Sequence, residues 1–368
     1  MSNQGIRIRL NGQEMEVARG TRIEELVRDL KGKMGSQIVA AVVNNEIREL
    51  TFPIEQESDI TTVDLSSDDG IRIYQRSLKF LLIKAVHDLF PDKELQVRHS
   101  VRRGVFFEIV DYKVTPEDVE RLEKRMRELV EQDHRFVKRV VPIDEARRIF
   151  LSRGREDRYR ALAFREKDYV SLYTFDDIED YFYGYMVPST GYLKLFGLAA
   201  ENDGIVLIVP KKENPTRLPD VTLPKQLFDV FTEYTNWIKI LGVEDVGRLN
   251  EVVKKGRIHE FILISEALHE KKIAQIADMI LQQKKRIILI AGPSSSGKTT
   301  FARRLGIQLR VNGLRPLTIS VDDYFVDKTR TPLDEEGKPD YEALETVDLA
   351  FFNQSMNALL KGEEIDVP

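Results

Sequence analysis

The chain has 368 residues, 42% of them hydrophobic and 32% charged, enough for two or three domains and without the composition of a disordered protein. Its net charge of −5 supplies no overall cationic field for nucleic acid or an anionic membrane. Cysteine is absent, which excludes disulfides, thiolate metal sites and cysteine nucleophiles together.

The start, Met1-Ser2-Asn3-Gln4-Gly5, has no basic region followed by an apolar run, so no secretory signal is visible. No apolar stretch approaches the about 20 residues needed to span a bilayer. The chain therefore reads as cytoplasmic, with no membrane partner.

Ile6, Ile8 and Leu10 alternate with polar residues, Asn11-Gly12 supplies a hairpin turn, and Glu14, Met15 and Val17 continue the second strand. Thr21 with Glu24 reads as a capping box, and Ile23, Leu26, Val27 and Leu30 form one helical face ending near Gly32. Ile38 to Val43 is a buried-strand run closed by Asn44-Asn45. These elements describe a small β-grasp unit over 1–67. From Ile6 to Leu65 it resembles the TGS domain at the front of threonyl-tRNA synthetases.

Ser66-Ser67-Asp68-Asp69-Gly70 reads as a polar linker. Beyond it Leu78, Leu81, Leu82, Ala85, Val86 and Leu89 fall at helical spacing, and Pro91 stops the element. Val105 to Ile109 reads as a strand. Thr115-Pro116-Glu117-Asp118 then opens a helix with a cap, a first-turn proline and acids at the positive dipole end. Val119, Leu122, Met126, Leu129 and Val130 are its buried stripe. With Val187-Pro188-Ser189-Thr190-Gly191-Tyr192-Leu193-Lys194, these features resemble the editing-type domain of threonyl-tRNA synthetase over roughly Ile71 to Leu198. An α+β domain at 70–262, including a connector, is expected. The resemblance puts Arg76 and Phe80, then Phe182 and Met186, where that family carries two histidines and a Cys/His pair. None of the four can ligate a metal or act as a general base at neutral pH, so the editing chemistry is expected to be lost.

The five histidines, His87, His99, His134, His259 and His269, have no metal-binding spacing. His99 with Arg98, Arg102 and Arg103 reads as a solvated charged turn, with anion binding the alternative. Arg147, Arg148, Arg153, Arg155, Arg158, Arg160 and Arg165 form a basic run interleaved with Glu145, Glu156, Asp157, Glu166 and Asp168. A salt-bridged solvent face is the favoured reading, RNA contact the alternative. From Asn202 to Ile264 no motif stands out beyond a strand at Ile205 to Val209 and loops at Asn214-Pro215 and Leu218-Pro219. Ile273, Ile276, Ala277, Ile280 and Leu281 then form a helix leading into a last domain at 263–368.

In that domain Arg286 to Ile290 reads as a strand, Gly292-Pro293-Ser294-Ser295-Ser296-Gly297-Lys298-Thr299 as a phosphate-binding loop, and Phe301, Leu305 and Leu309 as a helix ended by Asn312-Gly313. Backbone N–H groups at a helix N-terminus cradle phosphate oxygens. Gly297 permits close backbone approach, Lys298 bridges the β- and γ-phosphates of ATP, and Thr299 joins the Mg²⁺ shell. Ser294, Ser295, Ser296 and Thr300 complete the cofactor-binding set with Gly292. Leu317 to Val321 is expected as the next strand, with Asp322-Asp323 at its C-terminal end.

Together with Ser320-Val321-Asp322-Asp323-Tyr324-Phe325, this loop is similar to the uridine kinase and phosphoribulokinase family. The resemblance implies a partial P-loop α/β fold and ATP- and Mg²⁺-dependent phosphorylation of a nucleoside. In it Lys298 and Asp322 are catalytic, Asp322 as the base toward the 5′-hydroxyl, and Tyr324 and Glu342 bind the nucleoside. Only two strands of the roughly five such a sheet needs are visible, so the sequence reads as an N-terminal fragment. The alternative is an RNA-binding or regulatory protein in which nucleotide state switches a synthetase-like front end. No Asn-Lys-x-Asp guanine-reading motif is present. Oligomeric state is not encoded in any feature seen here.

Overall fold

The computed structural model describes residues 5–101, 104–220, 225–327, 329–334, 337–341 and 343–367. They fall into two compact units, Met1–Lys255 and Gly256–Pro368. The architecture is mixed α+β, with three β-sheets among the described residues, all in the first unit.

Asn11 and Gly12 both take positive φ (49° and 85°), the geometry of the tight turn that matches strand twist. They close a two-residue hairpin between β1 (Gly5–Leu10) and β2 (Gln13–Ala18), with Leu10 opposite Gln13. Ile6, Ile8 and Leu10 all point into the core, as the alternation requires. α1 (Ile23–Val27) is shorter than expected. Its capping partner is Glu25, which accepts from the Arg22 N–H at 3.2 Å, while the Thr21 hydroxyl donates to the Ala18 carbonyl. The cap thus sits one residue later than the Thr21–Glu24 reading, because Glu24 is taken by Arg135. A second tight turn, Asn44-Asn45, joins β3 (Ile38–Val43) to β4 (Glu46–Glu49), and β5 (Ser58–Asp64) completes the sheet in the order β2-β1-β5-β3-β4. β1 and β5 run parallel; the other pairs are antiparallel.

The expected linker at Ser66–Gly70 is instead the start of α2 (Asp68–Leu89). The Ser67 hydroxyl caps it by accepting from the Gly70 N–H at 3.1 Å. A Cβ at Gly70 would stand 1.8 Å from the Asp64 carbonyl oxygen, so the helix is held tight against the end of β5. α2 buries Leu78, Phe80, Leu81, Leu82 and Ala85 completely. β6 (Leu95–Val101) and β7 (Gly104–Ile109) follow, then α3 (Pro116–Glu131), opened by a reciprocal cap between Thr115 and Asp118.

β8 (Val137–Pro142), α4 (Ile143–Ser152), α5 (Glu156–Leu162), β9 (Tyr169–Phe175) and β10 (Ile178–Tyr181) form a sheet β10-β9-β8 with two helices on it. β11 (Gly197–Glu201) and β12 (Gly204–Ile208) join the earlier pair as β11-β12-β7-β6. The stretch read as a connector holds α6 (Lys225–Leu241) and α7 (Val246–Lys254). Gly247 lets α7 approach α5, since a Cβ there would lie 2.6 Å from Cβ of Arg160.

In the second unit α8 (Ile258–Gln282) packs Ile273, Ala277 and Ile280 on Leu305 and Leu309 of α9 (Lys298–Val311), and α10 (Leu349–Lys361) follows. The α/β expectation is corrected here. Neither Arg286–Ile290 nor Leu317–Val321 is a strand, and β-pairing among the unit's described residues is confined to the isolated bridges Phe325–Val347 and Leu333–Pro339. Leu289 is 85% exposed. A parallel strand needs ladders and covered faces supplied by neighbours, whereas a helix closes its hydrogen bonds within itself. The helices of the motif therefore form without its sheet.

Candidate functional site

The loop before α9 is a tight turn that runs into the helix start. Gly297, at φ 90°, is the residue from which the helix starts, and Ser295 also has positive φ (59°). A Cβ at Gly292 would come within 2.8 Å of Ser296 Oγ, so the turn closes on itself there. Lys298 Nζ folds back to donate to the carbonyls of Gly292 at 2.7 Å and Pro293 at 3.0 Å. Ser294, Ser295, Ser296, Thr299 and Thr300 are exposed. The arrangement holds one ammonium, several small hydroxyl residues and an open helix N-terminus in one place, a donor set that fits a polyphosphate. Toward Mg²⁺ Thr299 would supply a single oxygen, so the ion would need most of its oxygens from the phosphates and water. No group of three or more His, Asp or Glu among the described residues is arranged for a metal.

The structure does not bring the acids to this loop. Asp322 and Asp323 are exposed on a short 3-10 turn (Val321–Tyr324), and no hydrogen bond or ion pair joins them to Lys298 among the described residues. Tyr324 is buried against Phe351 and Phe352, with ring centroids 5.5 and 5.2 Å away, and its hydroxyl lacks a hydrogen-bond partner. Glu342 lies outside the described residues, as do Arg102 and Arg103.

Of the four positions carried over from the editing domain, two meet in the first unit. Phe80 and Phe182 lie 5.0 Å apart, and Phe136 and Phe175 pack on Phe80 at 5.5 and 5.7 Å. Arg76 donates to the Tyr185 carbonyl at 2.6 Å and fills the space beside Gly184. Burial pushes its guanidinium below the usual range. Met186 is buried, and its N–H donates to Glu49 Oε1 at 3.2 Å. Phe80 and Phe182 thus belong to an aromatic cluster with Phe136 and Phe175.

Glu49, at the end of β4, was not foreseen. It accepts from the Tyr173 hydroxyl and Met186 N–H and pairs with Lys138 at 3.4 Å. Burial, then the nearby Glu49 carboxylate, pushes the Tyr173 phenol well above its ordinary range. A second tie joins Arg135 to both Glu24 oxygens at 2.8 and 2.9 Å. Both ties connect the β-grasp lobe to the lobe after it. Nothing in local sequence marks these partners, which are 89 to 137 residues apart.

The basic run is largely neutralised internally. Arg155 and Arg158 pair with Asp157 and Asp180, Arg160 with Glu156, Arg153 with Glu179 and Arg147 with Asp144. Arg165 donates to the Tyr181 hydroxyl at 2.7 Å and Arg148 to the Asp144 carbonyl. The favoured salt-bridged reading describes this face. Of the histidines, His134 bridges Asp176 and Gln132, and His99 stacks on Phe231 at 3.8 Å. No described helix is long and apolar enough to cross a membrane.

No protein-family model matches the chain. Among characterised proteins it is similar to threonine–tRNA ligases. That of Acidovorax sp. (strain JS42) is 31% identical over 191 residues, 51% of this chain and 30% of the relative. That of Teredinibacter turnerae is 32% identical over 192 residues, again 51% and 30%. That of Symbiobacterium thermophilum is 28% identical over 192 residues, 51% and 29%. The similarity supports a synthetase-like front end. The chain spans about 30% of the length of these relatives.

These matches overturn the reading of the chain as an ATP-dependent nucleoside kinase. They are tRNA ligases, and a nucleoside acceptor has no support among them.

Proposed function

We propose that the chain is an RNA-binding or regulatory protein built on a synthetase-like front end, with nucleotide state sensed at the Lys298 loop. The observation that carries the reading is the similarity of half the chain to ligases whose name gives tRNA as what they act on. In this reading the front end, domains 1–67 and 70–262, binds tRNA or a related RNA without editing it, since Phe80, Phe182 and Met186 offer no hydrolytic group.

The domain at 263–368 takes ATP with Mg²⁺. Gly292, Ser294, Ser295, Ser296, Gly297, Lys298, Thr299 and Thr300 receive the phosphates, and Thr299 adds one oxygen to the ion. The fold-back of Lys298 onto the Gly292 and Pro293 carbonyls supports a cation held ready at the loop mouth. The acceptor roles of Asp322, Tyr324 and Glu342 lapse with the kinase reading.

The test uses the full chain and a labelled tRNA, with affinity measured across a salt series in the presence and absence of ATP and Mg²⁺. Expected is binding that weakens steeply with salt and shifts with nucleotide, the shift being lost in Lys298→Ala. Absence of tRNA binding sinks the RNA reading. Identical affinity with and without nucleotide sinks the sensing role.

A further inference from the structure

The paired arginines of 147–165 raise the question of where a free cationic surface lies on the front end. It lies in a cleft of about 630 Å³ between the β-grasp lobe and the lobe after it. Both lobes belong to the same compact unit, and the bidentate Arg135–Glu24 pair ties them. Tyr192 packs against both hydrophobic cores, so the two walls share a floor.

The rim carries Arg28, Lys31 and Lys194, all exposed, and none of the three has an ion-pair partner among the described residues. Arg127, the fourth cation, is fixed over the Phe196 ring at 4.7 Å and paired with Glu123. Two acids also line the cleft. Asp133 is engaged by the Gly191 N–H at 2.9 Å and the Ser189 hydroxyl, while Glu131 is exposed. Between the charges the floor is apolar, formed by Val27, Leu30 and Val130 beside Tyr192.

Unpaired cations around an apolar and aromatic floor match one ligand chemistry, an anionic backbone carrying exposed bases. A duplex keeps its bases stacked inside and offers such a floor nothing to bury, whereas a single strand can lay a base on it. We propose that this cleft binds single-stranded RNA, with Arg28, Lys31 and Lys194 on phosphates and a base against Tyr192. The proposal rests on the RNA-binding reading above and gives it a place.

The test is fluorescence anisotropy of a labelled single-stranded oligouridylate of about 12 nucleotides on the full chain, within the range of single-strand site sizes. The variant is Arg28→Gln with Lys31→Gln and Lys194→Gln; the control is Arg7→Gln with Lys93→Gln and Lys113→Gln, all outside the cleft. Neutralising three phosphate contacts should lower the slope of log affinity against log salt by about 2, at about 0.7 per contact, and weaken binding at least about tenfold. The control should bind like the wild type. An oligonucleotide carrying 5-iodouridine should cross-link at Tyr192. If the wild type binds and the cleft variant binds equally, the cleft is refuted while RNA binding stands. A duplex held more tightly than the single strand by the same three cations also refutes it. A wild type that binds no RNA removes the functional reading and this site together.

Discussion

Glu49 is the residue on which the junction between the β-grasp lobe and its neighbour turns, and Glu49→Ala is its sharpest probe. One carboxylate oxygen serves the Tyr173 hydroxyl and the Met186 N–H, and the other pairs with Lys138 at 3.4 Å. On truncation Tyr173 keeps the Gly184 carbonyl as an acceptor at 3.0 Å, so only the buried Met186 N–H is orphaned. That orphan costs about 1–3 kcal/mol, the lost charged hydrogen bond adds about 1.5–3, and the partly exposed Lys138 pair adds at most about 1. These overlap, so about 2–5 kcal/mol is expected, while Glu49→Gln, which keeps an acceptor, should cost about 1. Amide hydrogen exchange at Met186 reads the effect locally, and the thermal midpoint of the first unit reads it globally. Equal damage from Gln and Ala, or a change below about 0.5 kcal/mol with Met186 still protected, refutes the argument.

Glu24 gives a pH signature. Its hydrogen bonds to Arg135 hold the carboxyl below its ordinary 4.5. A depressed carboxylate contributes stability that is complete above the ordinary value and is lost as pH falls through the folded one. The acid limb of a stability–pH curve below about pH 4.5 should therefore flatten in Arg135→Gln, by less than about 1 kcal/mol because the pair is partly exposed; an unchanged limb refutes it. Leu81, fully buried on α2, should cost about 2–5 kcal/mol as Leu81→Ala in denaturant unfolding, and a loss below about 1 means that the site relaxes or is not core.

Much of the first unit is legible because its signals are local. Alternation in Ile6–Leu10 puts side chains on one face, Asn11-Gly12 fixes the turn, and Thr115 with Asp118 caps its own helix. The α2 and α3 stripes are buried as their spacing requires, except for half-buried Leu89 and Val130 at their ends. Where local reading slips, a remote partner intervenes. Glu24 pairs with Arg135 instead of capping α1. The helices α6 and α7 were not expected, although Asp245 marks the start of α7 by accepting from the Arg248 N–H at 2.8 Å.

Of the candidate site, the loop and its helix were legible, since glycine torsions and helix starts depend on neighbours in sequence. The acids were not. Whether Asp322 reaches a phosphate depends on strand ladders, and an isoleucine-rich run makes a strand only if another strand lies beside it.

The amino-acid order thus settled the hairpin turns, the Thr115 cap and the helix faces of the first unit, all governed by torsions and hydrogen bonds within a few residues. Three-dimensional packing alone decided that Glu49 and Glu24 join two lobes, that Arg158 finds Asp180, and that Arg28, Lys31 and Lys194 line an open cleft. The reason is range. Charge pairing and burial depend on which groups the fold brings within a few ångströms, and no short stretch of sequence holds that information.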